Sequence, residues 1–157
     1  MAKTKVLFSD IGGVLLNNGW GHESRMKAAE HFGLDYPTMD ILHNFIFNVN
    51  EIRKISLDDY LHTVVFNKPR NFSAGTFKKF MFAQSVKLPG MIDWLISWRK
   101  RNPGVAIIAI NNEGKELNDY RIKKFKLHNC FDAFISSCEV GMRKPDPGIF
   151  QLALGIA

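Results

Sequence analysis

The sequence predicts an α/β domain: a parallel sheet flanked by helices, interrupted by a helical insertion. Three observations carry that prediction. Val6-Leu7-Phe8-Ser9 and Val105 to Ile110 are apolar runs without polar alternation, the pattern of strands buried on both faces. Each run ends in turn-forming polar residues or glycine, Asp10-Ile11-Gly12-Gly13 after the first and Asn111-Asn112 after the second. Between them, residues from about 18 to about 87 show helical periodicity and no strand–helix alternation, which resumes only afterwards.

Taken in order, the first strand is followed by a loop from Leu15 to Asn18. His22 to Phe32 reads as a helix stopped at Gly33. Pro37 opens a second helix, with Ile41, Leu42, Phe45 and Ile46 as its apolar stripe. Ser56 and Asp59 form a capping-box pattern ahead of Leu57 to Phe66. Lys68-Pro69-Arg70-Asn71 is a break, and Ser73 can cap a helix carrying Phe77, Phe80 and Met81. Pro89 then opens a helix with Ile92, Leu95 and Ile96 on one face, closed by Arg101-Asn102-Pro103-Gly104. After the second strand, Gly114 to Lys126 is helical, Ala133 to Ser136 is a short third strand, and Pro147 to Leu154 is a last helix. No repeat or low-complexity tract interrupts the pattern.

The 157 residues suffice for one domain with a real core, and 46% hydrophobic against 23% charged content is an ordinary globular balance. The net charge of +6 raises a nucleic-acid reading. The cations are grouped as Arg99-Lys100-Arg101, Arg121 with Lys123, Lys124 and Lys126, and Arg143-Lys144. The first two groups follow helical patterns and read as solvated faces, and no nucleic-acid motif accompanies them. A positive field would still attract a phosphate substrate. Cys130 and Cys138 match neither a CxxC nor a zinc pattern and read as buried thiols, consistent with a reducing compartment. Met1-Ala2-Lys3-Thr4-Lys5 lacks the apolar stretch of a signal peptide, and no run is long enough to span a bilayer. The expectation is a soluble cytoplasmic protein with no nucleic-acid or membrane partner.

Three chemistry-bearing groups stand at the ends of the three strands. Asp10 can be a nucleophile, a metal ligand or a solvated turn aspartate. Asn111-Asn112 can donate N–H groups to an oxyanion or simply form a turn. Lys144, in Gly141-Met142-Arg143-Lys144-Pro145-Asp146-Pro147, can neutralise a phosphate or be a surface lysine in a stiff loop. A parallel sheet brings all three to one edge.

In that order the chain resembles the haloacid dehalogenase-like (HAD) hydrolase superfamily. Val6 to Leu15 is similar to its first motif, Ile107 to Asn112 to its second, and Val140 to Pro147 to its third. The resemblance implies a Rossmann-like core of residues 1–17 and 88–157, with residues 18–87 as a helical cap. It implies a phosphatase acting on a small phosphorylated metabolite through an aspartyl-phosphate on Asp10. Lys144 and Asn111 would assist catalysis, and Asn112, Gly13 and Arg25 would contact substrate. Magnesium would be held by Asp10 and the Gly12 carbonyl.

Three departures from the pattern qualify this. Gly12 stands where many members have a general acid, whose loss costs about 10²–10⁴ in rate. Asn111 replaces the usual Ser or Thr. The acidic fourth motif is absent, so the chain looks C-terminally incomplete. A weak magnesium site, impaired activity and self-association through an open sheet edge are the expectations. Glu113 is a substitute ligand or a helix first-turn acid. The alternatives are a 2-haloacid dehalogenase using Asp10, which needs no acid and no metal, and a degenerate member that binds a phosphorylated ligand or a protein. His22, Ser24 and Arg25 could face the site, although Arg25 also reads as a helix-surface residue. His31, His43, His62 and His128 read as surface or packing residues, and Trp94 and Trp98 as packing residues.

Overall fold

The computed structural model describes residues 5–156. The segment read above as lacking a leader falls largely in residues 1–4, outside the described residues, as does residue 157. The sheet contains β1 (Lys5–Ser9), β2 (Val105–Asn111) and β3 (Ala133–Ser136) in the order β1-β2-β3, with both pairings parallel. Its apolar runs are continuous because both faces are covered. Leu7, Ile107 and Ala109 face a cluster with Ile92, Leu95, Phe125, Leu127, Cys130 and Phe131. Val6, Phe8, Ile108, Ile110 and Ile135 face Ile149 and Ala153 on the other side. The alternation of one strand between two clusters is the period-2 geometry of a strand.

Helices α5 (Met91–Arg101) and α8 (Pro147–Gly155) supply those opposite layers, and α6 (Lys115–Lys124) follows β2. The helix expected to reach Lys126 stops earlier, because Lys126 adopts a left-handed φ of 52° ahead of a 3-10 turn at Leu127–Asn129. A short α7 (Ser137–Val140), absent from the sequence reading, joins β3 to the Lys144 loop.

Between β1 and α5 lie α1 (His22–Phe32), α2 (Tyr36–Glu51), α3 (Leu57–Val64) and α4 (Ala74–Ala83). Their ends follow local chemistry. Gly33 at φ 62° lets its N–H and that of Leu34 satisfy the last carbonyls of α1. Asp35 caps α2, Ser73 caps α4, and Ser56 with Asp59 forms the full capping box of α3. These helices share a cluster of their own around Trp20, Tyr60, Leu61, Phe77 and Met81, which Leu117 of α6 joins. Burying each such large side chain is worth about 1.5–3 kcal/mol.

The apolar stripe expected on α2 needs correction. Ile41 and Phe45 are 70% and 79% exposed, while Met39 and His43 are buried and Leu42 and Ile46 pack against the cluster. The buried face is rotated from the expected one because α1 and α3 cover that side of the helix. Trp98 packs as expected, but Trp94 is 52% exposed.

The helical insertion meets the strand-bearing part along a seam of specific bonds. Glu51, at the end of α2, accepts from Ser137 Oγ (2.8 Å) through its carbonyl and from Arg143 Nε (2.7 Å) through its carboxylate. Asn50 packs so closely on Gly114 that a Cβ there would overlap Asn50 Oδ1. Asn50 is buried and has a short side chain, so it cannot swing clear. Gly114→Ala should therefore cost about 1–3 kcal/mol in urea unfolding. Combining it with Asn50→Ala should cost less than the sum of the two single changes; strict additivity would show that the seam is not tight here.

Candidate active site

Pairing of Ser9 with Ala109 in β1 and β2 places Asp10 beside Ile110 at the carboxyl ends of the two strands. Asp10 Oδ1 accepts the N–H of Ile11 at 2.7 Å, which fixes the carboxylate over the turn. Lys144 Nζ reaches Asp10 Oδ2 at 2.5 Å and the Ile110 carbonyl at 2.9 Å. Lys144 is thus no free surface lysine: it bridges two strand ends and sets a cation against the one carboxylate at the tip of β1.

Asn112 holds that lysine in place. Its Oδ1 accepts from the Lys144 N–H (2.8 Å) and its Nδ2 donates to the Lys144 carbonyl (2.9 Å). Expected to contact substrate, it lines the cavity described next and also works as a two-pronged clamp on the Lys144 backbone. Asn111 also has partners: Nδ2 donates to Asn118 Oδ1 (2.9 Å) and Oδ1 accepts from Ser136 Oγ (2.8 Å). One of its two amide protons is committed to that buried network, a constraint the sequence did not show. Gly13, at φ 72°, spends its N–H on the Leu16 carbonyl in the turn and does not line the cavity described next.

Asp10, Gly12, Asn111, Asn112 and Lys144 line a cavity of about 270 Å³. The helical insertion adds Trp20, Arg25, His43, Phe47 and Glu51 to the lining, and Glu113 and Arg121 also contribute. Arg25 is buried rather than on a helix surface, because Asp40 of the neighbouring helix and the Trp20 carbonyl take its donors. Arg121 likewise leaves the solvated face expected for it and pairs with Glu113. His22 and Ser24 line a separate neighbouring hollow.

The electrostatics follow from these pairings. Glu113 precedes α6 and is fully buried; burial pushes its carboxyl up to about 7 against the pull of Arg121. It is no spare metal ligand, since Arg121 already holds it. Burial also raises Glu51, with Arg143 pulling the other way. Burial pushes His43 down to about 4, helped by Arg25 and opposed by Asp40. His43, Phe47 and Glu51 were not singled out as lining a site. A signal existed in their i, i+4, i+8 spacing along α2, which puts all three on one helix face.

Magnesium takes about six oxygens, commonly including one or two carboxylates. Asp10 and the Gly12 carbonyl are the donors expected here, and both Asp10 oxygens already have partners. Among the described residues no group of three or more His, Cys, Asp or Glu is placed to hold a metal ion. These residues by themselves do not fit magnesium. Nor, among them, is any helix long and apolar enough to cross a membrane.

No protein-family model matches the chain. Bifunctional epoxide hydrolase 2 of Mus musculus is 33% identical over 91 residues, spanning 56% of this chain and only 16% of that protein. A HAD family enzyme from Bacteroides thetaiotaomicron, solved with magnesium and inorganic phosphate, superposes with TM-score 0.76 at 21% identity. That match covers 97% of this chain and 78% of the other. A HAD-like family hydrolase from Porphyromonas gingivalis gives TM-score 0.70 at 17% identity, covering 99% and 77%. A dehalogenase gives 0.66 at 18% identity, covering 99% and 72%. The chain has the HAD fold.

The buried imidazole sets a pH signature. With a folded pKa of about 4 against 6.5 when unfolded, His43 binds its proton in the unfolded chain first. Its contribution is therefore intact above pH 6.5 and is lost as pH falls toward 4. Between pH 7 and pH 4.5 the wild type should lose about 2–3 kcal/mol more than His43→Gln, which does not titrate. Urea unfolding of both proteins at the two pH values measures this, and equal losses would show that His43 is not held neutral.

Proposed function

We propose that this chain, built on the HAD fold, is a hydrolase of small phosphate monoesters that works through an aspartyl-phosphate on Asp10. The observation that carries the reading is the contact of Lys144 Nζ with Asp10 Oδ2 in a cavity that the helical insertion also lines. The lysine holds the carboxylate in place, and its charge offsets that of an incoming phosphoryl group. In the first step a carboxylate oxygen of Asp10 bonds to phosphorus. The bond to the leaving oxygen breaks, and that oxygen keeps the electron pair and takes a proton from water. In the second step water attacks phosphorus, the bond to Asp10 breaks, and phosphate leaves with the carboxylate restored.

Asn112 is the positioning residue for this chemistry, since it fixes the backbone from which Lys144 reaches Asp10. Asn111 retains one amide proton for the transferring group. Gly12 offers no proton to the leaving oxygen, so esters of acidic alcohols and phenols should react best, ahead of alkyl esters by part of the 10²–10⁴ a general acid supplies. With few oxygen donors beside Asp10, magnesium binding to these residues should be weak.

A second reading is hydrolytic dehalogenation of a 2-haloacid. The same carboxylate would attack carbon and release halide, a leaving group that needs neither a proton nor a metal. The glycine at position 12 and the sparse oxygen donors favour it.

The test is hydrolysis of p-nitrophenyl phosphate by wild type, Asp10→Asn, Lys144→Met and Asn112→Ala, with and without magnesium. Asp10→Asn should abolish turnover at either magnesium level. Lys144→Met should reduce kcat by about 10²–10³, the range seen when one preorganised charge-stabilising donor is lost. Asn112→Ala should cost less, about tenfold, because the lysine survives but is looser. No wild-type turnover together with halide release from 2-chloropropionate would establish the second reading. Neither activity in a folded sample would leave a ligand-binding role.

A further inference from the structure

His43 lines the same cavity as Asp10, and its ring is packed against aromatic neighbours. It is only 6% exposed, Phe47 lies against it with centroids 4.5 Å apart, and Tyr60 meets it edge-on. Its Nδ1 lies 2.8 Å from the hydroxyl of Tyr60, which itself lies 2.8 Å from Trp20 Nε1. Proton bookkeeping settles the direction of that chain. Trp20 Nε1 can only donate, so the Tyr60 oxygen accepts from it. Tyr60 is wholly buried, and its hydroxyl proton has no acceptor among the described residues other than His43 Nδ1. Donation by Nδ1 instead would leave that hydroxyl proton orphaned in the core, at the cost of an unmade bond. The relay therefore runs Trp20 N–H to Tyr60 oxygen, then Tyr60 O–H to His43 Nδ1. The imidazole proton stays on Nε2.

Nε2 has no partner among the described residues, yet it is not among their sealed, unpartnered side-chain atoms, which are Ser85 Oγ and Arg121 Nε. His43 lines the cavity, and with Nδ1 committed to Tyr60, Nε2 is the one polar ring atom it has left to offer there. The ring remains neutral near pH 7. The other cations lining the cavity are matched: Arg25 by Asp40, Arg121 by Glu113, and Lys144 by Asp10. Among the described residues lining the cavity, each cation already has a carboxylate partner, and none is left unpaired for a second anionic group on the substrate. What His43 offers the cavity is one neutral N–H donor on a ring held by Tyr60 and Phe47.

Resting on the proposed phosphomonoesterase reading, we propose that His43 reads the leaving group, donating its Nε2–H to an uncharged hydroxyl, ether or carbonyl oxygen of the ester that Asp10 attacks. The substrate class this assigns is a phosphate ester of a hydroxylated or carbonyl-bearing alcohol without a second charge. Tyr60 and Trp20 are positioning residues: they fix the tautomer and do not touch substrate.

The test separates this from the hydrolysis reading by measuring binding in the turnover-deficient Asp10→Asn protein. First, ¹⁵N NMR of histidine-labelled protein should show His43 protonated at Nε2 and unprotonated at Nδ1. Second, glycerol 3-phosphate should bind about tenfold more tightly than n-propyl phosphate, the discrimination expected of one hydrogen bond. It should also shift the Nε2 resonance, whereas propyl phosphate should not. Adding His43→Asn, which keeps a partner for Tyr60 but withdraws the cavity donor, should erase the preference. His43→Gln, whose amide nitrogen reaches the position of Nε2, should retain it. Tyr60→Phe should weaken it without altering the cavity lining, and guards against a failure of His43→Asn to fold. A proton on Nδ1, or an undiminished preference in His43→Asn, overturns the proposal. Preferential binding with no turnover of either ester by the wild type would leave His43 as a reader and sink the hydrolysis reading. If neither ester binds, both fall.

Discussion

The register of β1 against β2 is the constraint on which the candidate site depends. Ser9 opposite Ala109 sets Asp10 beside Ile110, and the Ile110 carbonyl is the second anchor of Lys144. Side chains alternate along a strand, so a slip of one residue would turn Val6 and Phe8 toward the cluster that now holds Leu7. The two apolar clusters thus enforce the register far from the charged groups, and the charged groups inherit their geometry from it. A single lysine can then serve two strand ends at once, with Asn112 fixing the loop that delivers it.

What was legible in the sequence was local. Gly33, Pro37, Ser56 with Asp59, Ser73 and Pro147 act within three or four residues of themselves, and the structure uses each of them in a helix cap or first turn. The strands were legible because both faces are buried, which leaves an apolar run without interruption. Asp10 and Lys144 could be brought together across 134 residues only through the parallel order of their strands and the resemblance to a known motif order.

The rest was hidden because it depends on which neighbour covers which face. Arg25 looked like a surface residue until Asp40, fifteen positions away on the next helix, took its donors. Ile41 and Phe45 have the spacing of a buried stripe, but so do the residues beside them, and α1 and α3 pack against those instead. Trp20, His43 and Tyr60 come from three separate segments, and no pairwise spacing announces a relay assembled only in the folded state. Buried carboxylates such as Glu113 are similarly opaque: only the fold reveals that Arg121 is the partner.

The two ends of the helical insertion lie side by side. Asn17 Nδ2 donates to the Gln84 carbonyl, its Oδ1 accepts from Val86 N–H, and its own N–H bonds the Val86 carbonyl. Outgoing and returning chain are thus laced together at one point, 67 residues apart in sequence. To the sheet, this long excursion is equivalent to a tight turn, because its ends already sit where a short connection would put them. Closure entropy grows only with the logarithm of loop length, about 0.6 kcal/mol per doubling. The excursion can therefore vary in size and content with little penalty to the strands beneath. The molecule is modular in this sense: the strands keep their register whatever the excursion between them contains.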